Sequence, residues 1–170
     1  MSGQPAFAAA HYQLTLLDGA SVVIEPLAAA DGQRLGVVFA GIDPWAAYGY
    51  PAAALSAFLS TAEPGTHRFA LQLADDMVGA AVIRPGWLRG PYLQFLGVVP
   101  GFQRRGFGGA LLAWMEREAR VAKERNLWVA ASEINTDAIR LYERHGFTQT
   151  AKLDDLAWDG RAEILMRKRL

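Results

Sequence analysis

Residues 98–112 read VVPGFQRRGFGGALL, and this stretch decides the expected fold. Two valines end a strand-like run, a turn rich in glycine and arginine follows, and an apolar run then begins a helix. Glycine is a poor helix former and costs about 1 kcal/mol per position relative to alanine. The three glycines where this helix begins (Gly106, Gly108 and Gly109) therefore need another explanation.

The glycines leave the backbone of the turn open to a ligand. The first amides of a helix have no partner inside it, and the helix dipole places about half a positive charge there. A diphosphate could approach these amides, and Arg104 and Arg105 add positive charge beside them. The chain lacks the Gly-Lys-Ser/Thr ending of a P-loop, and Leu111 stands where a dinucleotide fingerprint needs glycine. The turn predicts a pyrophosphate site, with close helix packing as the alternative use of the glycines.

The remaining chain alternates short strands and helices. Asp18-Gly19 is a hairpin signal, and Gly32 and Gly36 are expected to interrupt the first helix. The segment RPGWLRGP is expected to link two strands as a loop. We expect helices near residues 28–42, 51–61, 107–126 and 136–145, and strands on both sides of the Asp18-Gly19 turn and near 67–74, 77–84, 91–99, 127–132, 149–157 and 162–169.

Composition narrows the function classes. The 170 residues, 52% of them hydrophobic, suit one domain spanning 1–170. Balanced charge argues against a nucleic-acid partner, and the absence of cysteine excludes disulfides and zinc–thiolate sites. The three histidines have no ligand spacing, so no metal is expected. With no secretory signal at the start and no long apolar run, we expect a cytoplasmic protein without a membrane partner.

Two motifs together resemble the GCN5-related N-acetyltransferase (GNAT) family. In VVPGFQRRGFGGALL, Gln103, Gly106 and Gly108 match the family's pyrophosphate-binding signature. Downstream, NTDAIRLYERHGF (135–147) resembles the family's second segment. The matching residues there are Asn135, Ala138, Leu141, Tyr142, Gly146 and Phe147. The resemblance implies an α/β (α+β) fold with a mixed, mostly antiparallel sheet flanked by helices. The sheet would be splayed for acetyl-CoA between the strand ending at Val99 and the strand LWVAAS (127–132).

The resemblance also implies a co-substrate, acetyl-CoA, held by a core of about residues 91–148. Backbone groups at the splayed strand would pair with the pantetheine arm as a missing strand would. The glycine turn would hold the pyrophosphate, and the Asn135 side chain would bond to the arm. The implied cofactor-binding residues are Leu96, Gly97, Val98, Arg104, Arg105, Gly106, Phe107, Gly108, Gly109, Asn135 and Tyr142.

By the same resemblance the chain is an N-acetyltransferase in which a primary amine attacks the thioester directly. Tyr142 would be the catalytic residue that protonates the departing thiolate, and an amide near Val98 would polarise the carbonyl. Packing is the alternative role of Tyr142, and helix capping that of Asn135. Some relatives carry a glutamate base five residues before the asparagine; that position is Ala130 here, and Glu133 is out of register, so the base is unassigned.

The acceptor is weakly specified by the sequence. Trp45, Tyr48 and Tyr50, with Asp154 and Asp155, lie in segments that in the resembling family border the acceptor, and aromatics with carboxylates suit a cationic amine. The alternative is that these aromatics only close the core. We expect a small-molecule amine, with a protein N-terminus as the second choice. A non-catalytic coenzyme A sensor, a purely structural domain and a homodimer all stay open.

Overall fold

The computed structural model describes residues 6–170. Met1–Pro5, which belong to the segment considered for a secretory signal, lie outside the described residues. The strands are β1 (Tyr12–Thr15), β2 (Ser21–Pro26), β3 (His67–Leu73), β4 (Asp76–Trp87), β5 (Gly90–Val98), β6 (Asn126–Ser132), β7 (Thr148–Asp154) and β8 (Ala162–Arg169). The helices are α1 (Ala29–Ala40), α2 (Ala52–Ser60), α3 (Phe107–Val121) and α4 (Thr136–Arg144).

The strands form one sheet in the order β1-β2-β3-β4-β5-β6-β8-β7. Every neighbouring pair is antiparallel except β5 and β6, which run parallel. Parallel neighbours need a long crossover, and here the crossover is the glycine turn followed by α3. The predicted mixed, mostly antiparallel sheet flanked by helices is confirmed.

Helices cover both faces of the sheet. On one face, α3 and α4 bury Leu111, Met115 and Tyr142 against strand residues in the larger core. On the other face, α1 and α2 enclose a smaller core that includes Phe39 and Leu59. Because each strand alternates its side chains between the faces, the sheet feeds both cores. The glycine turn lies between the end of β5 and the start of α3.

The expected interruption of the first helix is wrong. Helix α1 runs unbroken through Gly32 and Gly36, and both glycines are buried against α2. A Cβ on Gly36 would lie 2.3 Å from the backbone nitrogen of Ser56. The two glycines therefore allow the close approach of two helices, and the helix propensity that they sacrifice is offset by packing.

Two predicted boundaries also differ from the structure. Strand β4 continues to Trp87, and a tight turn at Leu88 and Arg89 replaces the expected loop; both residues have positive φ, 38° and 64°. The Trp87 ring packs edge-on against Trp128, with centroids 5.3 Å apart, and this contact holds the strand extended. Helix α3 ends at Val121, earlier than the expected residue 126. Within residues 6–170, no helix is long and apolar enough to cross a membrane.

Candidate functional site

The central feature is a gap between β5 and β6. These strands are in register only at Tyr92↔Trp128 and Leu93↔Val129. Beyond these pairs they separate, so the second half of β5 has a strand on one side and a cleft on the other. This is the splay that the resemblance implied.

A bulge in β5 lies where the separation begins. Val82 of β4 pairs with Phe95, and the next residue, Ile83, pairs with Leu93, so Gln94 has no opposite residue. An extra residue of this kind bends its strand and redirects the side chains that follow. Leu93 consequently packs in the larger core and Phe95 in the smaller one.

The cleft exposes a row of backbone groups on β5. The amide of Val99 donates to Val78 of β4 at 2.8 Å. Since successive residues of a strand point their backbone groups to opposite sides, Leu96 and Val98 direct theirs toward the gap. Gly97 points toward β4 instead, and a Cβ there would lie 2.7 Å from the Phe39 ring. Of the three expected strand residues, Leu96 thus offers its amide and carbonyl to an extended ligand. Val98 offers its amide, since its carbonyl accepts from Nε2 of Gln103 at 3.1 Å.

The glycine turn presents its backbone as the sequence suggested. Gly106, the N-cap of α3, has a φ of 90°, and no side chain caps the helix. The Phe107 side chain is buried beneath the turn. Arg105 bonds to Asp18 of the β1–β2 turn at 3.2 Å, whereas Arg104 is 91% exposed. The turn therefore combines the uncapped first amides of α3 with an exposed guanidinium, whose nearest carboxylate is that of Asp137 at 3.9 Å.

Two of the glycines also have a packing role. A Cβ on Gly108 would lie 2.6 Å from a methyl carbon of Leu141, and one on Gly109 would lie 2.9 Å from Nε2 of His145. Both contacts bring α3 against α4. Only Gly106 of the three has ordinary clearance, with Leu17 at 3.7 Å. Close helix packing and an open backbone therefore both apply to this turn.

A cavity of about 450 Å³ fills the gap. It brings together three residues expected at the cofactor, Leu96, Asn135 and Tyr142, which come from β5, the start of α4 and α4 itself. The loop between α1 and α2 supplies the three expected aromatics, Trp45, Tyr48 and Tyr50. Residues far apart in the chain thus line one cleft.

Tyr142 is one of the residues that line this cleft. Its ring is buried and packs 5.9 Å from the Phe147 ring. Burial, with smaller effects from Tyr92 and Glu163, raises the pKa of Tyr142 above its ordinary value. The hydroxyl therefore stays protonated at neutral pH and can donate. Asn135 caps α4, its Oδ1 accepting from the Ala138 amide at 3.2 Å, so the capping role is real.

The α1–α2 loop and the β7–β8 turn meet at one end of the cleft. Tyr50 approaches Trp158 with ring centroids 5.9 Å apart, and the Arg161 guanidinium lies 5.6 Å from the Tyr48 ring. Asp154 and Asp155, expected here, lie outside the lining. Asp154 is exposed, and the Asp155 carboxylate accepts from the Gly160 amide within the β7–β8 turn. Leu156 and Ala157 line the cleft in their place, because the turn directs the carboxylates outward.

The carboxylate in the cleft is one that the sequence analysis missed. Glu163 of β8 is the acidic residue among those lining the cavity. Glu133 instead bonds to Lys152 at 2.9 Å and to the Ala162 amide at 3.2 Å. Burial raises the pKa of Glu163. The pKa of Glu133 is lowered, mainly by the hydrogen bond from Lys152. The sequence signal that could have identified Glu163 is its position as the one acidic residue in the otherwise apolar run AEILM (162–166).

The comparisons with known proteins agree with this geometry. The sequence model of the Acetyltransferase (GNAT) family matches residues 39–147. The acetyltransferase Atu2258 of Agrobacterium fabrum is 37% identical over 84 residues, which are 49% of this chain and 57% of that protein. The chain therefore matches little more than half of this relative's length.

Solved structures share the fold. A protein described as an acetyltransferase of the GNAT family from Desulfovibrio desulfuricans has a TM-score of 0.65 and 26% identity, covering 87% of this chain and 98% of that one. A GNAT family acetyltransferase from Elizabethkingia anophelis, with acetyl-CoA bound, has a TM-score of 0.66 and 18% identity, covering 88% and 98%. At that identity the second structure supports the fold alone.

Proposed function

Because the chain belongs to the GNAT acetyltransferase family, we propose that it transfers the acetyl group of acetyl-CoA to a primary amine by direct attack on the thioester. We further propose that the amine belongs to a small molecule, and that residues 1–170 form one acetyltransferase domain with a cofactor-binding core of about residues 91–148. The observation that carries the proposal is the gap between β5 and β6, whose lining includes Tyr142.

The gap suits the pantetheine arm of the substrate. Leu96 and Val98 direct backbone groups into it, and these would pair with the arm's two amides as a neighbouring strand would. Asn135, which also lines the gap, would contribute its Nδ2 to the arm while Oδ1 caps α4. The amide of Val98 would polarise the thioester carbonyl. Gly97 has a supporting role here, since its missing side chain admits Phe39 beneath the strand.

The turn at 104–109 suits the pyrophosphate. Uncapped amides of Phe107, Gly108 and Gly109 begin α3 behind Gly106, and the helix dipole favours an anion there. Arg104 and Arg105 would supply positive charge to the pyrophosphate. The Arg104 side chain is exposed to solvent and could turn toward it, whereas Arg105 would have to release Asp18 or contact both groups.

The chemistry needs a neutral amine and a protonated leaving group. An alkylamine with a pKa of about 10 is mostly charged at pH 7, a handicap of roughly 4 kcal/mol. Tyr142, buried and neutral, would give its proton to the thiolate as the carbon–sulfur bond breaks. General acid help of this kind is typically about 10²–10⁴-fold.

The meeting of two loops at the acceptor end supports a small molecule. The contacts between Tyr50 and Trp158, and between Tyr48 and Arg161, join two loops across the cleft, where a protein N-terminus would need an open groove. Aromatic rings also suit the apolar part of a small amine.

The test is a thiol-release assay with acetyl-CoA and a panel of alkylamines, diamines, arylalkylamines and short peptides. We expect amine-dependent release of free thiol, with acetylated product detected by mass spectrometry and small amines preferred over peptides. Acetyl-CoA binding without release for any amine would instead identify a sensor. No stabilisation by acetyl-CoA at all would identify a structural domain.

A further inference from the structure

Glu163 occupies a defined position relative to the catalytic gap. In the β6–β8 ladder it lies directly opposite Ser132, and Leu165 lies opposite Ala130. Opposed residues of antiparallel strands share a face, so Glu163 is the diagonal neighbour of Ala130, at about 7–8 Å between Cα atoms. Both residues line the same cleft. A carboxylate that β6 lacks at position 130 is thereby supplied by β8.

Glu163 is free to act on a ligand. Among residues 6–170, no lysine, arginine or histidine forms a salt bridge with it, and no donor bonds to its carboxylate. It is about half buried, and burial alone raises its pKa. A half-buried carboxylate without a cation is costly in a folded protein unless a ligand completes it. Glu133, by contrast, is already satisfied by Lys152.

Two further acceptors in the cleft are unpartnered. The hydroxyl of Tyr48 and Oε1 of Gln94 are buried, and neither has a hydrogen-bond partner in the part of the chain that the structure describes. Buried polar atoms without partners are rare in folded proteins and call for an explanation. Gln94 is the bulged residue of β5, and Tyr48 belongs to the loop between α1 and α2, called the aromatic loop below. With Glu163 these atoms offer three acceptors, as many as a primary ammonium has N–H donors.

We propose that Glu163 is the general base of the reaction and that, with Tyr48 and Gln94, it forms the subsite for the acceptor's amino group. This inference rests on the proposed acetyl transfer and names the residue that completes it. The acceptor class that fits is a primary amine whose nitrogen enters an acidic, aromatic-lined end. Glu163 then touches the reacting nitrogen and is a catalytic residue.

Acetyl transfer requires the amine nitrogen to lose protons and the departing thiolate to gain one. The bound ammonium first passes one proton through the Glu163 carboxylate to solvent. The neutral nitrogen then bonds to the carbonyl carbon, the carbon–sulfur bond breaks, and the nitrogen loses a second proton. This second proton goes to the Glu163 carboxylate, and the thiolate sulfur takes the proton of the Tyr142 hydroxyl. Solvent then reprotonates Tyr142 and accepts the proton from Glu163. A base with a pKa raised toward neutrality is better matched to this task than an ordinary carboxylate.

The tyrosines around Glu163 stay neutral near pH 7, so they do not titrate together with its carboxyl group. Tyr142 of α4, Tyr92 of β5 and Tyr48 of the aromatic loop all face its charge, which contributes to raising the pKa of each. Burial is the main cause of the raised pKa of all three, so they stay neutral around pH 7. Arg161 lies against Tyr48, and its charge counters part of that effect.

The experiment compares Glu163→Gln with wild type, using an amine that wild type acetylates. We expect kcat to fall about 10²-fold at pH 7, within the usual range for a general base. In wild type, kcat rises with pH as Glu163 loses its proton; the variant lacks this rise and recovers only at high pH, where the amine itself is neutral. Glu163→Asp keeps the carboxylate and should retain part of the pH profile.

Glu133→Gln is the matched control, since it makes the same chemical change at a carboxylate that faces Lys152. It should keep the wild-type pH profile. A kcat and pH profile of Glu163→Gln equal to those of wild type would overturn the proposal while leaving the acetyltransferase function standing.

A second measurement does not depend on turnover. Amines are titrated into wild type and Glu163→Gln in the presence of coenzyme A, and binding is followed by calorimetry. We expect affinity to fall at least tenfold in the variant. Equal affinity, or no binding of any amine to wild type, would overturn the subsite. An absence of thiol release from wild type with amine binding intact would refute the proposed function instead.

Discussion

A methyl carbon of Leu141 occupies the space above Gly108, 2.6 Å from where a Cβ on that glycine would lie. The tip of a leucine can rotate away, so this contact is adjustable. At Gly36 the corresponding neighbour is the backbone of Ser56, at 2.3 Å, which can move only with its helix. Gly36 is therefore required for the spacing of two helix backbones, whereas Gly108 only leaves room for a side chain that can move.

We predict that Gly36→Ala destabilises the protein far more than Gly108→Ala. Forcing α1 away from α2 costs about 2–3 kcal/mol as overpacking. At Gly108 the gain in helix propensity, about 1 kcal/mol, roughly offsets the displacement of Leu141. Urea unfolding without ligand measures both. Gly86→Ala, which has open space around it, is the control and should stay within about 0.5 kcal/mol of wild type. Equal losses at Gly36 and Gly108 would refute the distinction.

Arg104 should contribute to acetyl-CoA binding without contributing to the fold. Its side chain is almost fully exposed and reaches Asp137 only at 3.9 Å. We expect Arg104→Gln to leave the unliganded melting temperature unchanged and to weaken acetyl-CoA binding about three- to tenfold, equivalent to about 0.7–1.4 kcal/mol. Acetyl-pantetheine, which has no pyrophosphate, is the control ligand. Should the variant weaken both ligands equally, the charge would not be acting on the pyrophosphate.

The substitution Tyr142→Phe tests whether Tyr142 acts as a general acid or only packs in the core. The substitution keeps the ring beside Phe147, so melting temperature and acetyl-CoA affinity should change little. If the hydroxyl protonates the thiolate, kcat should fall by about 10²-fold or more. The deficit should shrink for a thioester with a more acidic thiol, which needs less assistance. Full activity in the variant would move the proton source to another group.

The pH dependence of wild type gives a second check on Tyr142. Burial raises the pKa of its hydroxyl above the ordinary tyrosine value of about 10. The acid therefore remains protonated where an exposed tyrosine would ionise. We expect kcat to show no decline up to about pH 10 once Glu163 has lost its proton, as measured by initial rates at saturating substrates. A decline that begins below pH 9 and is absent from Tyr142→Phe would contradict the raised pKa.

Glu163→Gln should stabilise the fold at neutral pH. The folded pKa of Glu163 is raised by burial, so the unfolded chain releases this proton first as pH increases. Stability due to this group is therefore greatest below its ordinary pKa and falls as pH rises toward the raised value. The melting temperature of Glu163→Gln should match wild type in acid and exceed it at pH 7. A difference that is the same at every pH would indicate altered packing instead.

The fold was largely predictable because its signals are local. Asp18-Gly19, Gly146 and the amphipathic stripe of α3 each act within a few residues, and the hairpin, the end of α4 and the start of α3 lie where expected. The unbroken α1 was not predictable, since Gly36 is explained only by Ser56 on another helix.

The candidate site divides in the same way. Tyr142 and Asn135 were found through a motif whose spacing is fixed along one segment. Glu163 was missed because its role depends on lying beside Ser132, a pairing across strands that no local pattern encodes. Asp154 and Asp155 were misplaced because one turn decides whether a carboxylate points inward.

The half-open β5 also bears on aggregation. Unpaired strand edges invite other chains to add strands, and exposed edges are usually shortened, charged or covered. Here the unpaired strand groups of Leu96 and the amide of Val98 lie inside the sheet, recessed between β5 and β6, and not at its border. A narrow extended ligand can enter that recess, but the edge of a second sheet cannot. The chain thus keeps a strand available for recognition without offering it as a template for self-association.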